Sequence, residues 1–309
     1  MNADAPKLPR TIAEYLEQLR AALRGADPAL IQDALYDAEE HLRAELADQP
    51  GRSEADMLAK VVTSYGAPEE VAEIYRDQEI KIQRALRPPK PPKRASWVGQ
   101  FFGVAADPHT YGALFYMVLS LATGIFYFTW TVVGVSLSVS LSLLIFGILF
   151  AVLFFGTTRA LALVESRIVE TMLGERMPRR PVYARPGLSV RQRIGEMFSD
   201  PRTWSTLLYF ILMLPLGIVY FTIAVTGIAT SLACIFAPVA HIGWMLGLVR
   251  IDVATHIHFN DTLLIPWEIA DPLVFVIGVA LLFGLLHFAR GLALFQGALA
   301  KGLLVKPAG

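Results

Sequence analysis

Apolar residues are distributed along this chain in two ways. Up to about residue 86 they recur at steps of three and four among charged residues, and beyond residue 110 they form long runs of 20 or more. The first pattern predicts amphipathic helices and the second predicts membrane-spanning ones. Helix ends are legible in the first part. Thr11 and Glu14 have the spacing of a capping box, Leu16, Leu19 and Leu23 follow on one face, and Gly25 stops the run. Asp27-Pro28 opens a second helix with Ile31, Leu35, Leu42 and Leu46 inward, ended by Pro50-Gly51. Ser53 and Asp56 open a third, with Met57, Val61 and Val62 inward. Tyr65-Gly66 ends it, and Pro68 starts a fourth through Val71 and Ile74 to Leu86. Turns this short fold the helices back on one another as a small bundle.

The apolar part contains one stretch twice. Asp107-Pro108-His109-Thr110-Tyr111 reappears as Asp200-Pro201-Arg202-Thr203-Trp204, an offset of 93 residues. The register persists: Gly124 matches Gly217, Tyr127-Phe128-Thr129 matches Tyr220-Phe221-Thr222, and Gly134 matches Gly227. Repeated hydropathy with repeated motifs marks a duplicated membrane unit. In the first copy, residues 111–133 are long enough to cross, Gly134 reads as a tight turn, and the return run to Arg159 carries Ser136, Ser138, Ser140 and Ser142 as small packing residues. Periodicity continues through Leu161, Val164, Ile168 and Leu173, an amphipathic extension that Gly174 closes. The second copy departs after Gly227. Its exit, Arg290-Gly291-Leu292-Ala293-Leu294, matches Arg159-Ala160-Leu161-Ala162-Leu163 at an offset of 131, so 131 minus 93 leaves 38 extra residues.

Composition agrees with a membrane protein, at 54% hydrophobic residues and a mean hydropathy of +0.49. The net charge of zero conceals a division. Residues 1–80 hold 8 Lys/Arg and 17 Asp/Glu, and the remainder holds 19 and 10. Cations cluster at 81–99 (six), 158–202 (nine) and after 289 (three), whereas 251–271 has four acids and no Lys/Arg. The positive-inside rule therefore puts both termini and the 158–202 segment in the cytoplasm and 251–271 outside. The same rule accounts for the arginines without a nucleic-acid surface. Four spans satisfy it if 228–247, interrupted by Pro238 and His241, is an outer-leaflet or re-entrant segment. A five-span arrangement is the rival.

The expected fold is all-α, a small cytoplasmic helical bundle joined to a duplicated transmembrane helical hairpin. Its segments are a disordered start (1–10), the bundle (11–86), a Pro/basic linker (87–99), the first membrane repeat (100–174), a basic linker (175–193) and the second repeat (194–305) with an outer insertion at about 228–271. The prolines and cations of the first linker favour an extended tether near anionic headgroups, and Trp97, Phe101 and Phe102 suit the interface. The polar first 90 residues resemble no signal peptide.

Candidate chemistry is sparse. Cys234 is the sole cysteine, which excludes an intramolecular disulfide and a CxxC site. Asp252, His256, His258 and Asp261 form the densest set of metal-type ligands, and His-x-His on an extended segment puts both rings on one side, for a metal or for pH sensing. Asp37, His41 and Glu45 share a helical face, where ordinary solvated pairs account for them. His287 and Arg290 lie three residues apart at the inner boundary. No nucleophile, acid-base pair or cofactor motif has convincing spacing, so neither an enzyme nor a cofactor is expected.

The combination of Asp37-Ala38-Glu39-Glu40-His41-Leu42, the Gly51-x-Ser53-Glu54 helix start and Tyr65-Gly66-x-Pro68-Glu69-Glu70-Val71-Ala72 resembles the HAAS signalling domain over residues 11 to 80. That resemblance implies a cytoplasmic helical module of a bacterial inner-membrane protein that binds a protein partner, a PadR-type transcription regulator being the kind often associated. The paired hairpins, the core Gly217-Ile218-Val219-Tyr220-Phe221-Thr222 and the Arg-x-Leu-Ala-Leu exits resemble the sensor domain at the N-terminus of some bacterial sensor histidine kinases, over residues 100 to 305. No phosphoacceptor-His or ATP-binding pattern accompanies it, so output is expected through the N-terminal bundle. The resulting expectation is a membrane sensor in contact with lipid and a cytoplasmic partner, with a homo-oligomer left open. A small-solute or lipid transporter, or a membrane-organising protein built on the repeat, is the alternative. The motif residues carried forward are Asp107, Pro108, Gly124, Tyr127, Asp200, Pro201, Gly217 and Tyr220.

Overall fold

A computed structural model describes residues 8–49, 51, 53–86, 97–141, 145–179, 195, 199–248, 258–259, 262–263 and 267–305. Its helices are α1 (Ile12–Ala22), α2 (Pro28–Ala47), α3 (Glu54–Ser64), α4 (Pro68–Leu86), α5 (Trp97–Phe102), α6 (Pro108–Leu141), α7 (Ile145–Leu173), α8 (Pro201–Met245) and α9 (Trp267–Leu304). A two-residue antiparallel ladder, His258–Phe259 with Thr262–Leu263, lies within the insertion. The chain divides into two compact units: Met1–Pro91, Thr131–Tyr209 and Gln296–Gly309 form one, and Pro92–Trp130 with Phe210–Phe295 form the other.

Within the first unit, α1 to α4 make an all-α bundle whose ends are set by local side chains. The Glu14 N-H donates to Thr11 Oγ1 (3.1 Å), the Ala29 N-H to Asp27 Oδ1 (2.9 Å) and the Asp56 N-H to Ser53 Oγ (3.2 Å). Each satisfies a backbone donor that the first helical turn leaves open. Gly25, Gly51 and Gly66 take the positive φ values that such turns require. Tyr15, Leu19, Leu30, Ala34, Ala38, Leu42, Met57, Leu58, Val61 and Val71 fill the core. Ile74 is not among them: it is 53% exposed, and Ala72 and Tyr75 take the inward places on α4. Two tyrosines close the bundle, Tyr15 donating to the Gly66 carbonyl (2.9 Å) and Tyr75 to Asp37 Oδ2 (2.9 Å). Burial raises the pKa of both phenols, and for Tyr75 the Asp37 carboxylate adds to the effect.

Four helices, Pro108–Leu141, Leu149–Leu173, Pro201–Met245 and Glu268–Leu304, are long and apolar enough to cross a membrane. Two expectations need correction. Gly134 is no turn, because α6 continues to Leu141; a Cβ there would collide with the Phe154 ring, so the glycine permits close packing of α6 on α7. Residues 228–245 are not an element of their own, because α8 is one 45-residue helix that carries Pro215 and Pro238 inside it. At about 1.5 Å per residue it extends roughly 68 Å, against a hydrocarbon core of about 30 Å. Proline removes one backbone hydrogen bond, and an apolar environment still favours helix over any open alternative. Of the serines on the return run, Ser136 and Ser140 are exposed, Ser138 donates to the Gly134 carbonyl of its own helix, and Ser142 lies outside the described residues.

In the second unit the two repeats meet reciprocally. A Cβ on Gly124 would lie 2.9 Å from the Met213 carbonyl carbon, and one on Gly217 would lie 2.8 Å from that of Ser120. Ser120 and Met213 are themselves 93 residues apart, so the repeat places the same close contact twice. Small residues that let backbones touch are the main source of helix association in lipid. Tyr127 stacks on Phe210 beside this crossing at 4.4 Å.

Gly217→Val should therefore destabilise the protein by about 1–3 kcal/mol or more through overpacking. Gly284→Ala, where nothing lies within 4 Å, should be neutral or slightly stabilising. Thermal unfolding in detergent compares the two, and equal effects would discount the crossing. The phenols give a second expectation: a raised folded pKa contributes stability that is complete below the ordinary value of 10.0 and is lost as pH rises above it. Hydrogen exchange in α1 and α4 should thus accelerate above about pH 10, and Tyr75→Phe should diminish that dependence.

Candidate functional site

Beyond Arg159, helix α7 becomes polar on the side it buries. Glu165, Ser166, Val169 and Glu170 are buried; of the apolar face that the sequence periodicity predicts, Leu173 is buried, Leu161 and Ile168 are half-buried and Val164 is exposed. The inward carboxylates are matched by partners from distant segments. Glu165 accepts from Tyr209 Oη (2.8 Å), which in turn accepts from Gln296 Nε2 (2.9 Å), joining α7, α8 and α9.

One turn further on, Gly174 ends α7 with φ +70 and directs the chain along the α1 to α4 bundle. Arg176 is buried there, only 5% exposed, although the sequence suggests a solvated linker. Its Nη2 donates to Asp33 on α2 (2.8 Å), its Nε to Glu79 on α4 (3.1 Å), and its Nη1 lies 3.4 Å from Glu170 on α7. Burial opposes the charge on Arg176, but Asp33 and Glu79 outweigh it and the pKa is raised. The backbone N-H of Arg179 adds a bond to Asp33 Oδ1 (2.7 Å), and Arg167 pairs with Glu170. Three carboxylates thus face three guanidiniums, and the cluster is neutral as a whole. Beside it Lys301, near the end of α9, reaches Asp27 and Glu175 (3.2 Å to the latter). Gly297 allows this approach, because its Cβ would lie 3.1 Å from Glu175 Cβ. Helices from the apolar part and the α1 to α4 bundle are held together here by charge.

The motif residues are brought together in pairs. Asp107 and Asp200 begin α6 and α8 with Pro108 and Pro201 at the first helical position, each carboxylate accepting from the N-H two residues on (3.1 Å in both). Each aspartate also pairs with the exit arginine of the other repeat, Asp200 with Arg159 (3.2 Å) and Asp107 with Arg290 (3.7 Å). Gly124 and Gly217 form the crossing described above, with Tyr127 and Tyr220 buried near it. Arg290 and His287 do not face one another; His287 stacks on Phe101 and contacts its carbonyl at 3.1 Å. His41 stacks on Tyr65 at 4.4 Å, Asp37 receives Tyr75, and Glu45 receives Gln49, so the three residues do not converge.

Asp252, His256 and Asp261 lie outside the described residues, and His258 is described only as part of the short ladder. Among the described residues no group of three or more His, Cys, Asp or Glu is placed to hold a metal. Sequence reasoning missed a different pair, His241 and Asp271, whose Nδ1 and Oδ2 are 2.5 Å apart with Trp244 stacked on the imidazole. It also missed Arg176, Asp33, Glu79 and Glu170. The available signal was carboxylates on α2, α4 and α7 beside apolar inward positions, without the arginine that answers them.

A family model described as "Putative sensor" matches residues 116–304, and one described as HAAS matches residues 14–74. No curated protein and no solved structure matches the chain.

Removing the central cation would leave three buried carboxylates partly unpaired. Arg176→Met should cost about 3–5 kcal/mol, seen as earlier thermal unfolding and as loss of hydrogen-exchange protection in both α2 and α7. Arg176→Lys keeps the charge without the planar fork and should fall between. An unaffected Arg176→Met protein would show that the cluster holds nothing together.

Proposed function

The chain belongs to the Sensor family, carries a HAAS domain and is a membrane signalling protein, and from that premise we propose that it transmits a stimulus from its apolar helices to a partner of the α1 to α4 bundle through the Arg176 cluster. HAAS domains interact with partner proteins, and the observation that carries the reading is the shared guanidinium of Arg176 between Glu170 on α7 and Asp33 and Glu79 on the bundle. A shift or rotation of α7 alters the geometry of three ion pairs at once. Discrete rearrangements of this kind convert small helix movements into a change of docking. The orientation proposed is that of a bacterial inner-membrane protein with four crossings, both termini cytoplasmic and the 251–271 segment outside, supported by the distribution of cations. The partner proposed is a cytoplasmic PadR-type transcription regulator, with no direct contact to nucleic acid and no catalytic step. In this layout the Asp107/Asp200 and Gly124/Gly217 pairs keep the repeats in register, and the outer insertion with Asp252, His256, His258 and Asp261 is the segment available to an external stimulus.

The bundle used as bait should recover a transcription regulator, and full-length protein that instead moves solute or lipid, with no partner recovered, would overturn the reading. A disulfide tests the route. Glu175→Cys with Gly297→Cys, in a Cys234→Ser background, should bridge across the near Cβ contact and block the response of the partner's target genes until it is reduced. A response unaffected by the bridge would remove this joint from the route.

A further inference from the structure

Helices α8 and α9 meet along a seam that repeats every seven residues in both. A Cβ on Gly227 would lie 3.1 Å from the Leu285 methyls, and one on Gly278 would lie 2.8 Å from Cys234 Cβ. Cys234 is seven residues after Gly227 and Gly278 is seven before Leu285, so two turns of each helix separate the levels and the helices run antiparallel. One further step of seven in each direction reaches His241 and Asp271, whose Nδ1 and Oδ2 are 2.5 Å apart. The seam therefore ends in a polar pair at the level nearest the connection from α8 to α9. Side-chain exposure is 3% for His241 and 22% for Asp271, so the imidazole is enclosed and the carboxylate stays partly open. Trp244 is stacked with the imidazole, ring centroids 5.9 Å apart. Other charge near the pair is scarce. Glu268, one turn before Asp271, is exposed, and Cys234, two turns from His241, is half-buried. Helix α8 has no other Asp, Glu, Lys, Arg or His after Arg202, and α6 and α7 have none between Thr110 and Thr158.

We propose that His241 and Asp271 form a proton-operated latch between α8 and α9, closed when the imidazole is protonated and loosened when it is neutral. Histidine is the side chain whose ordinary charge change falls at about pH 5 to 8, and an ionisable residue within an apolar helix points to function. With the proton on, imidazolium and carboxylate cancel, and the pair buries no net charge. With it off, the Nδ1–H still donates, but the carboxylate charge is left uncompensated in apolar surroundings, and the helices gain by parting to hydrate it. Stronger acid protonates Asp271 as well and ends the pairing from the other side, so the latch closes over a bounded range of pH. Closure fixes the ends of both helices on either side of residues 246–266. The same two helices carry Tyr209 and Gln296, which reach Glu165 on α7. The inference deepens the signalling reading by naming the proton as the stimulus, and it rests on that reading for its consequence alone. The latch is measured without any partner, so its failure leaves that reading standing.

Met245 and Ile269 are exposed near the two helix ends. Nitroxides on Met245→Cys and Ile269→Cys, in a Cys234→Ser background of the full-length protein in nanodiscs, report their separation by pulsed dipolar spectroscopy. The distribution should be narrow at about pH 5.5 and gain a longer component at about pH 8. The ratio of the two components should change about fivefold or more as the bond gains or loses its second charge. His241→Gln keeps an N–H donor for Asp271 but does not titrate, and should give one distribution at both pH values. A parent distribution that ignores pH would overturn the latch, as would a pH response that survives His241→Gln. Trp244 gives a second readout with the pair intact. A stacked imidazolium quenches indole emission, so the difference in emission between the wild type and Trp244→Phe should fall on acidification. A difference that stays constant over that range would overturn the proposal even where His241→Gln fails to fold.

Discussion

A charged side chain is removed from water only where others meet it, and Arg176 is the residue in which that constraint governs the molecule. Its guanidinium is buried among Asp33, Glu79 and Glu170, which come from a helix of the bundle, another helix of the bundle and the end of an apolar helix. A buried ion pair contributes little net stability, because desolvation opposes the Coulombic gain. It contributes strong discrimination, because an arrangement that separates the partners leaves each one uncompensated. A hydrophobic contact of the same area would weaken gradually under a shift of α7. The arginine cluster favours one docked geometry and penalises intermediate ones, which suits a joint that must distinguish two states.

The apolar helices depend on a different principle, since lipid supplies no hydrophobic drive between them. Duplication gives each repeat the same two devices, a glycine that admits the neighbouring backbone and an aspartate at the helix start. Both devices are used across the repeats and not within them. Gly124 faces the backbone at Met213 and Gly217 faces that at Ser120, while Asp107 takes Arg290 and Asp200 takes Arg159. A contact made twice by equivalent residues ties each repeat to the other's sequence. The 38-residue insertion departs from this equivalence, and the pair of buried His241 with half-buried Asp271 lies within the segment it occupies.

How much of this was legible depended on whether the cause was local. Caps at Thr11, Asp27 and Ser53 are decided by a side chain and the two or three residues after it, and they stand where the pattern puts them. The four apolar helices and the repeat are visible for the same reason. Glycine is ambiguous by nature, since it suits both a turn and a close approach. Gly134 therefore reads as a turn, although it sits inside a helix opposite Phe154, as its counterpart Gly227 sits inside a helix opposite Leu285. Ile74 shows the complementary failure, a residue of the right type at a helical step whose place was taken by Tyr75. Arg176 was beyond reach of any local rule. It lies 143 residues from Asp33, in a Pro/Arg-rich stretch where the positive-inside rule explains every cation equally well.

The polar groups between the apolar helices and the bundle are graded along α7. Arg159 pairs with Asp200, Glu165 receives Tyr209 with Gln296 behind it, and Glu170 meets Arg176 and Arg167. Successive contacts at these spacings engage α8, then α8 with α9, then the bundle. Because all of them lie on one continuous helix, α7 cannot rotate without disturbing each in turn. Coupling between distant sites requires an element that both sites bias. On the proposed orientation α7 is that element, and its buried acids explain why the helix keeps a polar inward face where an apolar one would have packed more cheaply.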